Sequence, residues 1–258
     1  MTTANLGMAP APATVLLASL RLLPVAMVSP FLGGPLVAPL VRVALAIGFG
    51  LSGAALAAPA GPAPAGLGLV AAGARELALG TVLALLASAP VEAARAAGRL
   101  ADTFRGATLA ELHVAPIRQR ESATGDLLAH WVVVLAAWAG GDRLVISGLL
   151  GSFGAIPPGG VFAIDAAREV ALRAAGEVLS TAVAIGAPAA AGVLAADLTL
   201  AVVSRVAPQL GAANAAQPAR ATLGLLAVAA AASAAGGRLV ALTALAGSAP
   251  GWLAGTWP

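Results

Sequence analysis

The sequence predicts an all-α, polytopic integral membrane protein of about six long apolar helices, some of them kinked and packed as hairpins. Three observations support this. Hydrophobic residues make up 60% of the 258 and charged residues only 10%, whereas a soluble domain carries about a quarter charged. The polar surface is therefore too small to cover a globule of this length, and lipid or a very large protein interface must take the rest. Apolar stretches of roughly 20 residues, enough to cross a bilayer core as helix, recur along the chain. These stretches are continuous and rich in Ala and Leu rather than alternating, which argues against a transmembrane barrel.

The first stretch runs from Ala11 to Phe31 and contains Arg21 and Pro24. Met1 to Pro10 carries no Arg or Lys, so it lacks the cationic start of a secretory signal peptide, and the stretch is expected to be retained as a span. The second runs from about Pro35 to Ala58, with Arg42 near its start, and an uncharged Pro/Gly/Ala linker follows to Gly66. The third, about Leu67 to Ala89, carries the adjacent pair Arg75 and Glu76. Residues 91–126 then change character: Ala alternates with charges at near-helical spacing as far as Arg105, and from Gly106 onward an irregular polar loop is expected. A fourth stretch, Leu127 to about Leu150, is broken at Gly140-Gly141-Asp142-Arg143. After the turn Pro157-Pro158-Gly159-Gly160, a charged amphipathic lead-in merges into a fifth span, about Val178 to Val203, with Pro188 as a kink. A short polar loop, 204–220, precedes a sixth span from about Ala221 to Leu245. The whole, residues 1–258, reads as a single membrane domain.

Arg placement sets an expected orientation. With six spans, the loops 91–126 and 204–220 fall on one side and hold most of the loop arginines. Both would face the cytoplasm and both termini the periplasm, although Arg168 and Arg173 lie on the opposite side.

Several function classes drop out. The formal charge of +3 comes with no Lys and no basic run interleaved with aromatics, so no nucleic-acid partner is expected. Cys is absent and the two imidazoles, His113 and His130, have no metal-site spacing; no cofactor or metal is expected. There is no nucleophile elbow and no strand–loop–helix phosphate cradle, so the chain is not read as an enzyme.

The ionisable residues inside spans are Arg21, Arg42, Arg75, Glu76 and Asp197. Such groups are costly in lipid and suggest function by default. A proton relay needs a density of carboxylates that no span provides, so Arg–carboxylate pairs between helices are the preferred reading. Arg75 and Glu76 point about 100° apart on a helix, so each needs a partner elsewhere. Gly48, Gly50, Gly53, Gly73 and Gly80 favour close helix packing.

An ordered set of short motifs resembles one family, the FliR/SctT (YscT, SpaR, HrcT) proteins of type III secretion export, with the injectisome branch slightly preferred over the flagellar one. Arg42 follows Pro35 and Pro39, and Glu76 with Gly80 is similar to a Glu-x-x-x-Gly region of that family. Gly98 to Asp102, then Arg105-Gly106-Ala107-Thr108, resembles its G-x-x-x-D-x-Q-R-G-A-T stretch. Gly140-Gly141, Ser152-Phe153 and Pro157 resemble a further segment, as do Ala187-Pro188 and the run Arg205 to Gln209 ending at Pro218. Phe104 stands where the family has Gln, and Ala115-Pro116 where it has Asp-Pro.

The resemblance implies an entry portal for unfolded secreted proteins in the bacterial inner membrane. It implies assembly with SctR/FliP-like and SctS/FliQ-like subunits, whose helices together with lipid would cover the spans. Asp102, Arg105, Gly106, Pro116 and Gly125 would belong to a channel-plug loop. Arg205, Pro208, Gln209 and Pro218 would lie in a cytoplasmic loop near an SctU/FlhB-like switch protein. The competing reading from another class is a small-solute secondary transporter, which favours inverted repeats and broken helices. Pro24 and Pro188 suit such breaks, but the two halves show no repeat.

Overall fold

A computed structural model of the chain describes residues 10–34, 37–57, 64–107, 122–207 and 212–253. Eight α-helices occupy nearly all of these residues: α1 (Pro12–Val28), α2 (Pro39–Leu56), α3 (Leu67–Arg105), α4 (Ala123–Trp138), α5 (Gly141–Ala155), α6 (Ile164–Val206), α7 (Ala212–Ala241) and α8 (Thr243–Leu253). A 3-10 turn, Pro30–Leu32, follows α1.

Local sequence explains the ends. Proline begins α1 and α2, where its missing N–H and fixed φ cost nothing. α3 stops at Gly106, whose φ of +72° takes the left-handed conformation. The Ala107 amide donates to the Asp102 carbonyl and the Gly106 amide to that of Thr103, the paired closure that satisfies terminal carbonyls of a helix. Gly140, at φ +78°, separates α4 from α5, and the two meet at a bend of 78°. The break expected at Gly140-Gly141 is therefore present.

Among the described residues four helices are long and apolar enough to cross a membrane, or five if the bent pair α4–α5 counts as one span; α1 is shorter, at 17 residues. Other boundaries differ from expectation. α4 begins at Ala123 rather than Leu127, because Ser122 caps it. As expected, the charged lead-in merges with the fifth span, in one helix of 43 residues that contains Pro188. The loop 204–220 is much shorter than expected: Ser204 to Val206 belong to α6, and helix resumes at Ala212, so Pro218 and Arg220 are helical. The Ala-rich run around Asn214 has enough helix propensity to carry α7 through Pro218.

Residue contacts divide the chain into two compact units. The first comprises Met1–Ala89, Gly140–Ala174 and Leu242–Pro258, the second Pro90–Ala139 and Ala175–Ala241. In the first, α1 packs along α2 and α5 along α8, over a core that includes Leu22, Val25, Leu79, Leu83, Leu149 and Phe153. Small residues make the approach possible. A Cβ added at Gly50 would lie 2.4 Å from Ser19 Oγ, and one at Gly53 would lie 2.3 Å from the Phe153 ring; Gly48, by contrast, faces open space. In the second unit α4 packs on α7, and a Cβ at Gly98 would meet the Gly125 Cα at 2.3 Å.

Burial is uneven. In the most apolar window of α3, 67% of residues are buried, against 22% in α2, 33% in α6 and 28% in the stretch Pro218–Ser248 of α7 and α8. Large apolar side chains such as Leu40, Leu179, Leu198 and Leu226 stand exposed on these helices. Apolar faces of this extent require lipid or another protein to cover them.

Candidate functional site

Two buried polar clusters stand out, one in each unit. The first is built on Arg21 and Glu76, which are 0% and 2% exposed. Arg21 Nε donates to Glu76 Oε2 at 2.6 Å and Nη2 to Oε1 at 3.1 Å, a two-point contact between α1 and α3. The remaining donors are also used. Arg21 Nη1 reaches the Ser152 carbonyl at 3.0 Å and the Ser152 hydroxyl at 3.3 Å, and Nη2 reaches the Ile156 carbonyl at 2.8 Å. The guanidinium lies 4.4 Å from the centre of the Phe153 ring, a cation–π contact. Glu76 Oε1 accepts in addition from the Gly159 amide at 2.7 Å.

The sequence accounts for this geometry piece by piece. Gly80, one turn beyond Glu76, lets α3 approach α1: an added Cβ would lie 2.1 Å from the Arg21 carbonyl oxygen. The Arg21 acceptors Ser152 and Ile156 lie in the last turn of α5 and at its C-cap: the Ile156 carbonyl stands beyond the helix, and the Ser152 carbonyl accepts from Arg21 in addition to the Ile156 amide. Gly159 adopts φ +82° in the turn closed by the bond from the Gly160 amide to the Pro157 carbonyl, which aims its own amide at Glu76. Charge is thus neutralised and nearly every donor satisfied, the condition under which a buried ion pair is tolerated. The arrangement joins three segments of the chain; it offers no free acid or base for proton transfer.

The second cluster centres on Asp102, 2% exposed. Its Oδ2 accepts from the Ser122 hydroxyl at 2.5 Å and from the Thr124 amide at 3.1 Å. Its Oδ1 accepts from the Thr124 hydroxyl at 2.6 Å and from Arg105 Nη1 at 2.8 Å. Arg105 Nη1 also donates to the Thr124 hydroxyl at 3.0 Å, and Ser122 Oγ caps α4 by accepting from the Gly125 amide at 2.9 Å. One carboxylate on α3 therefore holds the first turn of α4, where a negative charge also complements the helix dipole. Asp102 joins the two ends of the connection between α3 and α4.

The remaining sites are simpler. Asp197 on α6 pairs with Arg220 on α7. Arg42 Nε donates to the Val37 carbonyl at 2.6 Å near the start of α2. Arg205 is exposed in the last turn of α6. Pro116, Pro208 and Gln209 lie outside the described residues. Sequence reasoning did not find Ser122 and Thr124 as partners of Asp102; the signal available was Ser122 just ahead of an apolar run with Asp126 in its first turn, the residue types of a helix start. Nor did it assign Ser152, Phe153 and Gly159 to Arg21 and Glu76, since their contacts are fixed only by tertiary packing.

A family model described as "Bacterial export proteins, family 1" matches residues 13–244. The chain belongs to this family. Among its relatives is the "Secretion system apparatus protein SsaT" of Salmonella typhimurium strain LT2, 30% identical over 145 residues. That alignment covers 56% of this chain and 55% of the relative, so the chain spans about half the length of the curated protein it matches. As bacterial export proteins of family 1 are the FliR/SctT proteins, the resemblance drawn from the ordered motifs is correct. The motif residues also have a common physical role. Glu76, Gly80, Ser152, Phe153 and the Pro157 turn surround Arg21, while Gly98, Asp102, Arg105, Gly106 and Gly125 form the Asp102 cluster. With its several long apolar helices, this family member is a multi-pass membrane protein.

Proposed function

We propose that the chain is a structural and gating component of the type III protein export apparatus, set in the bacterial inner membrane. It assembles there with SctR/FliP-like and SctS/FliQ-like subunits into the entry portal for unfolded secreted proteins. The observation that carries this reading is the family match over residues 13–244. Two features support it physically. The sparsely buried apolar faces of α2, α6 and α7 suit partner helices as well as lipid. The carboxylates of the two polar clusters, Glu76 and Asp102, are each held by several structural hydrogen bonds, as suits a scaffold.

Within this reading the connection 105–125 plugs the closed channel, and residues 204–218 lie at the cytoplasmic base beside an SctU/FlhB-like subunit. Both charged connections face the cytoplasm. Asp102 gives the plug a fixed neck, because it holds the connection at both ends. Deleting residues 108–121 while keeping Asp102, Arg105, Ser122 and Thr124 tests the plug directly. Membranes holding the assembled complex should then leak ions and small solutes, and an unchanged, tight membrane would reject the plug. The secondary-transporter reading predicts instead that the lone purified chain moves a solute in vesicles.

A further inference from the structure

With Glu76 paired to Arg21, its chain neighbour Arg75 has no carboxylate partner among the described residues. Arg75 is half-buried on α3, and its Nε is shielded from solvent with no hydrogen-bond partner among the described residues. The acids of the first unit are Glu76, Asp142, Asp165 and Glu169. Both Glu76 oxygens are engaged by Arg21, Glu169 pairs with Arg173, and no ion pair from any of them reaches Arg75 among the described residues. Between Val43 and Val91 the sequence has no other charged side chain.

Its position makes this costly in lipid. Taking Leu67 to Ala89 as the span, Arg75 lies about 12 Å from the helix start, well inside a hydrocarbon core of about 30 Å. An extended arginine directed toward the helix N-terminus shortens that distance without closing it. The exposed side chains beside it are small: Ala71, Ala74 and Ala78. Small residues let another helix approach closely, and lipid chains have no need of them. The unpaired Nε matters as well, because a side-on, two-point contact with a carboxylate uses Nε together with one terminal nitrogen, as Arg21 does with Glu76.

We propose that Arg75, framed by Ala71, Ala74 and Ala78, is the docking point for an apolar helix of another membrane subunit that carries an Asp or Glu at matching depth. The planar guanidinium suits such a pair better than an ammonium would, and the low dielectric strengthens it. This inference rests on the reading of the chain as an assembly subunit, and the test separates the two.

The full chain is expressed with the other membrane export subunits of its host, with a photo-reactive amino acid in place of Ala74, and the complex is purified. Failure of the unmodified chain to join any complex counts against the assembly reading itself. In a complex that forms, the cross-link should map to an apolar helix of another subunit, within one turn of an Asp or Glu. Arg75→Glu should lower complex yield at least tenfold, and exchanging the mapped acid for Arg should restore it to within twofold. Arg75→Gln should leave the thermal unfolding of the isolated chain in detergent unchanged, which separates docking from folding. Full complex yield from Arg75→Glu, a cross-link to lipid alone, or no rescue by the exchange would overturn the proposal.

Discussion

Arg21 on α1 and Glu76 on α3 are 55 residues apart in the chain and 2.6 Å apart in the interior of the first unit. Their contact excludes solvent, and the end of α5 closes over it through Ser152, Phe153 and Ile156. Removing one partner leaves the other charge buried and unpaired. Glu76→Ala and Arg21→Ala should each destabilise the chain by about 3–5 kcal/mol. The two losses should be far from additive in the double variant. Thermal unfolding in detergent measures both; additive losses would mean that the pair does not act as a unit.

Gly80 allows that contact to exist. A methyl group there would overlap the Arg21 carbonyl oxygen at 2.1 Å, and the opposing atom is backbone, which cannot rotate away. Gly80→Ala should cost about 1–3 kcal/mol or more, whereas Gly48→Ala, facing open space, should be neutral or slightly stabilising. Comparing the two melting temperatures checks this; equal effects would contradict the packing described.

Asp102 holds the first turn of α4 through four hydrogen bonds. Charge-assisted bonds of this kind contribute about 1.5–3 kcal/mol each when measured singly. Asp102→Ala should therefore speed amide hydrogen exchange at Thr124 and Gly125 by at least tenfold while leaving the middle of α3 near Leu83 unchanged. Unaltered exchange at Thr124 would show that the cap does not depend on Asp102.

Asp197 and Arg220 make a partly exposed pair, 34% and 39% accessible at the side chains. Such a pair contributes at most about 1 kcal/mol in water, but an apolar surrounding raises the cost of leaving one charge alone. Exchanging the charges, Asp197→Arg with Arg220→Asp, should recover most of the stability that either single change loses. The check is the melting temperature of the three variants in detergent.

Much of the helical plan was legible from composition and periodicity, because long Ala/Leu runs leave no alternative to helix in lipid. The stops at Gly106 and Gly140 were legible for the same local reason: both need positive φ, which glycine supplies. Boundaries set by other forces were not. The helical run from Ala212 is carried through Pro218 by the Ala residues around it, and Ser122 starts α4 early through a cap. Arg21, Glu76, Asp102 and Asp197 are conspicuous as charged side chains in an apolar chain, but their partners were not legible. Periodicity predicts that Arg75 and Glu76 face apart, as they do; it says nothing about which of them meets Arg21. That choice is made by the close approach at Gly80 and by the turn at Gly159.

In the proposed function this chain works inside an assembly, with its exposed apolar helix faces covered by other subunits. The most direct measurement is native mass spectrometry of the full chain purified from membranes that also contain its host's SctR- and SctS-like subunits. The predicted result is one defined complex containing this chain and both partner types, with little free chain. A free, stable monomer beside partners that assemble without it would contradict the account.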